Sequence, residues 1–191
     1  MENVKNIAVF ASGFGSNFEA ILEAVADHRL NANIALLVVD KLNCFAVQRA
    51  KNHHVPVFAF NPKDFSSKEE YEKLIIRKLE EYHIDWVALA GYMRLVGPTL
   101  LSHYEGRIIN IHPALLPAFP GTHAIEKAYD YGVKIFGITI HYVDAGMDTG
   151  KIIAQAAFEK NENESVDEVE TRIHQLEHEW YPKVLQQIIN N

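Results

Sequence analysis

Cysteine is almost absent from this sequence, which contains one among 191 residues. A single thiol cannot form an intramolecular disulfide or build a cysteine-rich zinc site, as is typical of a reduced cytosolic protein. Ten histidines are present, but no His-Glu-x-x-His run occurs, and the i, i+4 pair His174 and His178 lacks an evident third ligand. We therefore expect no bound metal, with a site built from His112, His123 and His141 as the alternative.

Long apolar runs and an excess of basic residues are missing as well. The first six residues are polar and lead directly into a strand, so we expect no secretory leader, no membrane span and a cytoplasmic protein. Aspartate and glutamate, 25 in number, exceed the 18 lysines and arginines, and the net charge is −7. This balance predicts no surface for nucleic acid or for an anionic membrane. The expected partners are small-molecule substrates, and the chain is expected to be a monomer or a homodimer.

Hydrophobic residues make up 48% of the chain, which is enough for a substantial core, and we interpret 1–191 as a single domain. Short apolar runs alternate with segments of helical periodicity, a pattern that predicts an α/β fold with a mostly parallel central sheet flanked by helices. The predicted strands are 7–11, 34–39, 55–60, 86–90 and 107–112. Two further strands, 135–143 and 151–158, are expected to pair antiparallel at one edge.

Capping signals and apolar periodicity also predict the helices. Ser66 with Glu69, and Ser165 with Glu168, have the spacing of capping boxes. The first box precedes a helix that ends near Tyr82, and the second precedes a helix that continues to residue 188 or 189. Further helices are predicted over 45–52 and 122–131, with a short one opened by Pro98.

A glycine turn follows the first strand. Gly13 and Gly15 permit close approach of a ligand to the backbone, and Ser16 or Asn17 can cap the helix that follows. The free amides of a helix start attract anions, so a phosphate fits this turn. The third glycine of a dinucleotide-binding turn is missing, because Phe18 stands in its place. A turn used only for tight packing is the alternative.

Asn110 and His112 interrupt the apolar strand 107–112 and lie on one face of it, because side chains alternate along a strand. Pro113 then ends the ladder, so both side chains come at the carboxyl end of the strand, where open α/β sheets bind ligands. An amide and an imidazole together can donate hydrogen bonds to an oxyanion, and the imidazole can also transfer protons. The alternative is a polar loop contact and a paired core histidine.

Four motifs in this order resemble the phosphoribosylglycinamide formyltransferases, also called glycinamide ribonucleotide transformylases, a family of folate-dependent enzymes. The motifs are LAGYMR at 89–94, NIHPALLP at 110–117, FPGTH at 119–123 and DAGMDTG at 144–150. The resemblance covers nearly the whole chain. It implies a Rossmann-like formyltransferase fold and transfer of the formyl group of 10-formyltetrahydrofolate, the co-substrate, to the amine of glycinamide ribonucleotide in de novo purine biosynthesis.

The resemblance also implies roles for individual residues. The catalytic residues that it implies are Asn110, His112 and Asp148. Its ribonucleotide-binding residues are Gly15, Ser16, Asn17 and Glu177. Its folate-binding residues are Lys68, Met93, Arg94, Leu95, Val96 and Asn110. Lys68 replaces an arginine of other members, and Phe14 stands where some members carry a small or polar residue.

The chemistry implied is direct attack of the amine on the formyl carbon, with no covalent enzyme intermediate. Asn110 and protonated His112 would hold the oxyanion, and Asp148 would stabilise the charged imidazole and help to pass protons through water. Related enzymes share these motifs, so a formyltetrahydrofolate hydrolase, a methionyl-tRNA formyltransferase or a sugar-nucleotide formyltransferase are rival functions. A non-catalytic folate-binding or nucleotide-binding module is a further rival from a different class.

Overall fold

The computed structural model describes residues 4–190, which form seven strands and six α-helices. The strands are β1 Lys5–Ala11, β2 Ala32–Val39, β3 Val57–Ala59, β4 Trp86–Leu89, β5 Ile108–His112, β6 Ile135–Tyr142 and β7 Ile152–Glu159. The helices are α1 Ser16–Ala26, α2 Phe45–Asn52, α3 Lys68–Glu81, α4 Pro98–His103, α5 Ala124–Tyr131 and α6 Val166–Ile189, with a 3₁₀ turn at Pro62–Asp64.

All seven strands belong to one sheet in the order β3-β2-β1-β4-β5-β6-β7. The first five strands are mutually parallel, whereas β6 pairs antiparallel with β5 and β7 pairs antiparallel with β6. The predicted α/β fold with its antiparallel edge is therefore confirmed. The order reverses at β1, so the loops after β1 and β4 diverge and leave a crevice at the carboxyl ends of the strands.

Helices cover both faces of the sheet, because the parallel strands are apolar on both sides. On one face α1, α2, α5 and α6 pack against alternate strand residues such as Val9 and Ile109. On the other face α3 and α4 pack against the intervening residues, such as Phe10 and Ile108. Among the helices of residues 4–190, none has the length and apolarity needed to cross a membrane.

Two predicted helix N-caps differ from the structure, and the helix predicted over 122–131 begins two residues later, at Ala124. The first capping box is shifted by one residue: Ser67 is the N-cap of α3 and accepts a hydrogen bond from the amide of Glu70, whose carboxylate binds Ser66. Helix α1 begins at Ser16 after Gly15, which is left-handed, and no side chain caps it. A φ of 75° at Gly15 turns the chain into the helix without help from a serine or asparagine cap. The capping box of Ser165 and Glu168 is confirmed.

Three helices end in the same unusual way. After α1, α2 and α3 the chain passes through a histidine with positive φ, at His28 (60°), His54 (56°) and His83 (51°). Glycine is the usual residue at this position because it has no Cβ to clash in the left-handed region. Each of these helices leads into the amino end of the next strand, so the three histidines lie at the edge of the sheet opposite the crevice.

Candidate active site

A cavity of about 920 Å³ occupies the crevice, a volume suited to small-molecule ligands. Of the residues predicted from the sequence to bind or act on substrates, all but Lys68 line it. They are Gly15, Ser16, Asn17, Met93, Arg94, Leu95, Val96, Asn110, His112, Asp148 and Glu177. Segments far apart in the sequence therefore share one cavity, with the glycine turn after β1 and the loop after β4 both in its wall.

Asp148 makes contact with both polar residues of β5. Its Oδ2 lies 3.4 Å from Nδ1 of His112, and its Oδ1 accepts a long hydrogen bond of 3.5 Å from the amide of Asn110. The backbone N–H of Gly121 donates to Oδ2 at 2.7 Å. Asn110 and His112 lie on the same face of β5, as predicted, so the loop between β6 and β7 must fold over that face to bring Asp148 to them.

His112 is buried and both of its ring nitrogens have neighbours. Nε2 lies 2.8 Å from the carbonyl oxygen of Phe119, which can only accept, so Nε2 carries a proton. Nδ1 faces the carboxylate of Asp148. The ring is thus fixed in orientation, and a proton on Nδ1 would meet a carboxylate oxygen.

A second histidine, His141 on β6, completes this cluster. The antiparallel register places His141 directly opposite Asn110. Its Nδ1 lies 2.8 Å from the carbonyl oxygen of Tyr142, and its Nε2 lies 3.3 Å from the amide nitrogen of Asn110 and 3.6 Å from Oδ1 of Asp148. From the sequence, His141 was identified only as an alternative metal ligand. The alternation of Thr139 and His141 along an apolar strand was the signal that could have placed it on the face of Asn110.

The electrostatics of the cluster centre on Asp148. Interaction with His141, the amide of Gly121 and the charge of a protonated His112 lower the pKa of the Asp148 carboxyl, and together they outweigh the effect of its partial burial. Asp148 is therefore ionised through the neutral range and provides a fixed negative charge beside two imidazoles.

Positive φ angles also occur around the same cluster. Asp148 has a φ of 56°, and along the segment that follows β5 positive values recur at Phe119 (53°), Gly121 (78°) and His123 (58°). Non-glycine residues in this region cost of order 1–3 kcal/mol each and are common at functional sites. The conformation aims the carbonyl of Phe119 at His112 and the amide of Gly121 at Asp148.

The glycine turn is held against α2. The amide of Ala46 donates to the carbonyl of Gly13 at 3.2 Å, and a Cβ at Gly15 would lie 2.8 Å from the Cβ of Ala46. The positive φ disfavours any residue with a Cβ at position 15, and the contact with Ala46 leaves no space for one. The amides of Ser16 and Asn17, in the first turn of α1, have no carbonyl partner within the helix, and both residues line the cavity.

Glu177 on α6 lies next to this turn. It is buried, and its Oε2 accepts hydrogen bonds from the side-chain amide of Asn17 at 3.1 Å and from the ring of His174 at 2.9 Å. The bond to Glu177 raises the pKa of His174, whereas burial lowers the pKa of His178 one turn later. At neutral pH the two histidines therefore differ in their tendency to carry a proton.

The other part of the cavity wall is the loop after β4. Met93 and Leu95 are exposed, and Val96 is buried at its base. Arg94 donates through Nε to Asp40 at 2.7 Å. Lys68 lies behind this loop and outside the cavity lining, where its Nζ donates to the carbonyl of Leu95 at 2.8 Å.

No group of three or more histidine, cysteine, aspartate and glutamate side chains in residues 4–190 is arranged to hold a metal ion. The cluster of Asn110, His112, His141 and Asp148 instead combines hydrogen-bond donors with a fixed carboxylate. Such a set can stabilise an oxyanion and transfer protons.

Comparisons with known proteins agree with this chemistry. The formyl transferase family model matches residues 5–185. The phosphoribosylglycinamide formyltransferase of Bacillus subtilis is 53% identical over 97% of this chain and 95% of its own length.

Two solved structures are similar throughout. They are glycinamide ribonucleotide transformylase 1 from Geobacillus kaustophilus (54% identity, TM-score 0.95, 97% of this chain and 99% of that one) and phosphoribosylglycinamide formyltransferase from Bacillus halodurans (52%, 0.94, 97% and 95%). The fold is therefore that of the folate-dependent formyltransferases, as the resemblance implied. With matches that extend over almost its whole length, the chain belongs to the formyl transferase family.

Proposed function

We propose that this protein transfers the formyl group of 10-formyltetrahydrofolate to the amine of glycinamide ribonucleotide, a step of de novo purine biosynthesis. The observation that carries the proposal is the cavity itself, in which Asn110, His112 and Asp148 share one lining with the glycine turn and the loop after β4. The names of its relatives support the same reaction.

In the proposed reaction the amine of the ribonucleotide attacks the formyl carbon, and the carbonyl electron pair moves onto oxygen. The tetrahedral intermediate then collapses and expels the folate nitrogen, which takes up a proton, while the attacking amine loses one. The substrate amine is itself the nucleophile, so the reaction needs no covalent bond to the enzyme. The side chains have only to stabilise the oxyanion and move protons.

Asn110 is the donor we assign to the oxyanion, because its amide makes only long contacts, of 3.3 and 3.5 Å, to His141 and Asp148. His112 would add a second donor and a proton. Its Nε2–H is held by the carbonyl of Phe119 in this structure, so this role requires the segment after β5 to shift when substrates bind. Ionised Asp148 would stabilise the imidazolium that forms.

The two substrates are assigned to opposite parts of the cavity wall. The ribonucleotide phosphate would meet the amides of Gly15, Ser16 and Asn17 at the start of α1, with Glu177 contacting the sugar and amide portion. The folate would lie along Met93–Val96. Lys68 would act on the folate only through Leu95 unless its side chain leaves the carbonyl that it binds here.

We further propose that the chain works as one formyltransferase domain in the cytoplasm, as a monomer or a homodimer, and does not act on nucleic acid. The volume of the cavity suits small molecules, and all the strands of the described residues belong to one continuous sheet with a core layer on each face.

The test is to mix purified protein with 10-formyltetrahydrofolate and glycinamide ribonucleotide and to follow deformylated folate by absorbance, beside a sample without ribonucleotide. Product only in the first sample is the expected result. Equal product in both would replace the proposal with a hydrolase. Folate binding with product in neither would indicate another amine acceptor, such as an amino sugar nucleotide, or a binding module.

A further inference from the structure

The loop that joins β4 to α4 has an unusual mode of attachment. Residues 93–97 form neither helix nor strand, and side chains from elsewhere in the fold hold them in place. These side chains are Ser12 on the amide of Met93, Asp40 on Arg94, Lys68 on the carbonyl of Leu95 and Glu72 on the amide of Gly97. The position of this part of the cavity wall therefore depends on its supports and not on a backbone ladder.

Of the two supporting side chains on α3, Lys68 and Glu72, Glu72 is the more deeply buried. Its side chain is in the apolar layer beside Ile75 and Leu100, and the residue is 2% exposed. One carboxylate oxygen accepts from the amide of Gly97 at 2.5 Å and the other from the amide of Leu100 at 3.3 Å. A carboxylate is costly to bury unless its oxygens are hydrogen-bonded, and here two backbone amides provide those bonds.

These contacts make Glu72 the cap of a helix to which it does not belong. Gly97 is the N-cap residue of α4 and has no side chain with which to accept from the first turn. Glu72, which is on α3, accepts these hydrogen bonds instead, and its negative charge is favourable at the positive end of a helix. The end of the loop and the start of α4 are thereby fixed to α3.

Lys68 lies one turn earlier on α3 and holds the same loop. Its Nζ binds the carbonyl of Leu95, two residues before Gly97. A Cβ at Gly97 would lie 2.7 Å from a carboxylate oxygen of Glu72 and 2.7 Å from Cδ of Lys68. The φ of −87° at Gly97 is open to any residue, so glycine is needed there for space. The loop backbone thus rests directly on these two side chains.

We propose that Glu72 is a positioning residue for the folate-side wall of the cavity, with Lys68 as its companion. It does not line the cavity, and it acts by holding the segment whose exposed Met93 and Leu95 side chains face the ligand. The inference rests on the proposed function for the identity of that ligand.

The first variant is Glu72→Gln, which keeps the shape of the side chain and removes its charge. One oxygen can still accept, but the amide nitrogen now faces a backbone N–H, so one of the two bonds is lost. A neutral amide is easier to bury than a carboxylate, so the variant should fold. We expect KM for 10-formyltetrahydrofolate to rise about tenfold, with kcat and KM for the ribonucleotide changed less than about twofold.

Two further variants test the same contact by changing the other residues that form it. Lys68→Met removes the donor to Leu95, and Gly97→Ala pushes Glu72 and Lys68 away. Both should raise KM for the folate selectively. The double variant Glu72→Gln/Gly97→Ala should be less impaired than the product of the two single effects, because both disturb one contact. Glu69→Gln is the matched control, since Glu69 is on the same helix and pairs with exposed Lys73.

Hydrogen exchange gives a readout that does not depend on activity. In Glu72→Gln the amides of Gly97 and Leu100 should exchange faster, while those of the central strands stay unchanged. If the wild type fails to transfer a formyl group, the proposed function fails, but faster exchange would still support the positioning role. Two results with an active wild type would overturn the inference. In the first, the Glu72→Gln variant keeps the wild-type KM for the folate. In the second, its kcat falls and its KM values for both substrates rise together.

Discussion

Asn17 at the start of α1 donates a hydrogen bond of 3.1 Å to Glu177 on α6, a residue 160 positions later in the sequence. The bond is buried and closes the cavity beside the glycine turn. Glu177 also accepts from His174, so its carboxylate holds two side chains of the cavity wall at once. The bond joins the first helix to the last at the place assigned to the ribonucleotide.

Glu177→Gln should weaken ribonucleotide binding. The amide of glutamine cannot replace the charge-assisted bond to His174, so we expect KM for glycinamide ribonucleotide to rise about tenfold while KM for the folate is preserved. Steady-state kinetics with each substrate varied in turn measures the change. Glu179→Gln, an exposed position on the same helix, is the control. A rise in the folate KM alone would place Glu177 on the wrong side of the cavity.

Asn110→Ala should remove the proposed oxyanion donor. Loss of one such donor costs on the order of a hundredfold to a thousandfold in kcat, and neither KM should change by more than a few-fold. Single-turnover kinetics at saturating substrates gives the chemical step directly. Asn33→Ala, which deletes an exposed amide on β2, is the control. Turnover close to that of the wild type would exclude Asn110 from the reaction.

Asp148→Asn should fold, because asparagine tolerates the positive φ of this position, but it should lose proton transfer and most of its turnover. It should also change the response to acid. The pKa of Asp148 is lowered from 3.8, so its contribution to stability is present above that value and is lost as the pH falls through the lowered pKa. Thermal melts on the acid side of pH 3.8 should therefore fall less steeply for the variant than for the wild type.

His174→Gln should change stability on the other side of neutrality. Glu177 raises the pKa of His174 above 6.5, so the stabilising effect is complete below that pH and is lost as the pH rises through the raised pKa. The melting temperature of the variant should therefore vary less with pH above 6.5 than that of the wild type. An identical pH profile would show that the ion pair adds nothing to stability.

His28→Gly, His54→Gly and His83→Gly should each stabilise the protein. Glycine removes the Cβ strain of the left-handed conformation, and we expect a gain of about 0.5–1 kcal/mol per site after its greater backbone entropy is subtracted. Denaturant unfolding measures the gain, and kcat should not change at this distance from the cavity. His54→Ala is the control, since alanine keeps the strain and should give no gain.

Patterns of local sequence were sufficient to predict most of the fold. Apolar runs and helical periodicity predicted the strands and helices in their correct order, and α2 has the predicted limits of 45–52. Errors arose where neighbouring residues offer equivalent choices, as at the consecutive serines Ser66 and Ser67. Only the actual geometry decides which of two adjacent hydroxyls caps a helix.

The candidate site was predicted less completely, because much of it depends on tertiary contacts. Motif resemblance brought Asn110, His112 and Asp148 into one hypothesis. His141 joins them only through the register of an antiparallel pair, which the sequence does not specify. The position of Lys68 behind Leu95 likewise depends on how α3 packs against a loop, and a motif cannot show it.

Helix α6 carries Glu177 and His174 toward the cavity while Val169, Ile173 and Leu185 of the same helix enter the core. It is connected to β7 through the exposed residues 161–163. Opening the chain in that connection would divide the protein into a sheet fragment and one amphipathic helix that supplies the missing part of the cavity wall. The same helix therefore completes both the hydrophobic core and the wall of the cavity, so that any loss of its packing would also disturb the side of the cavity assigned to the ribonucleotide.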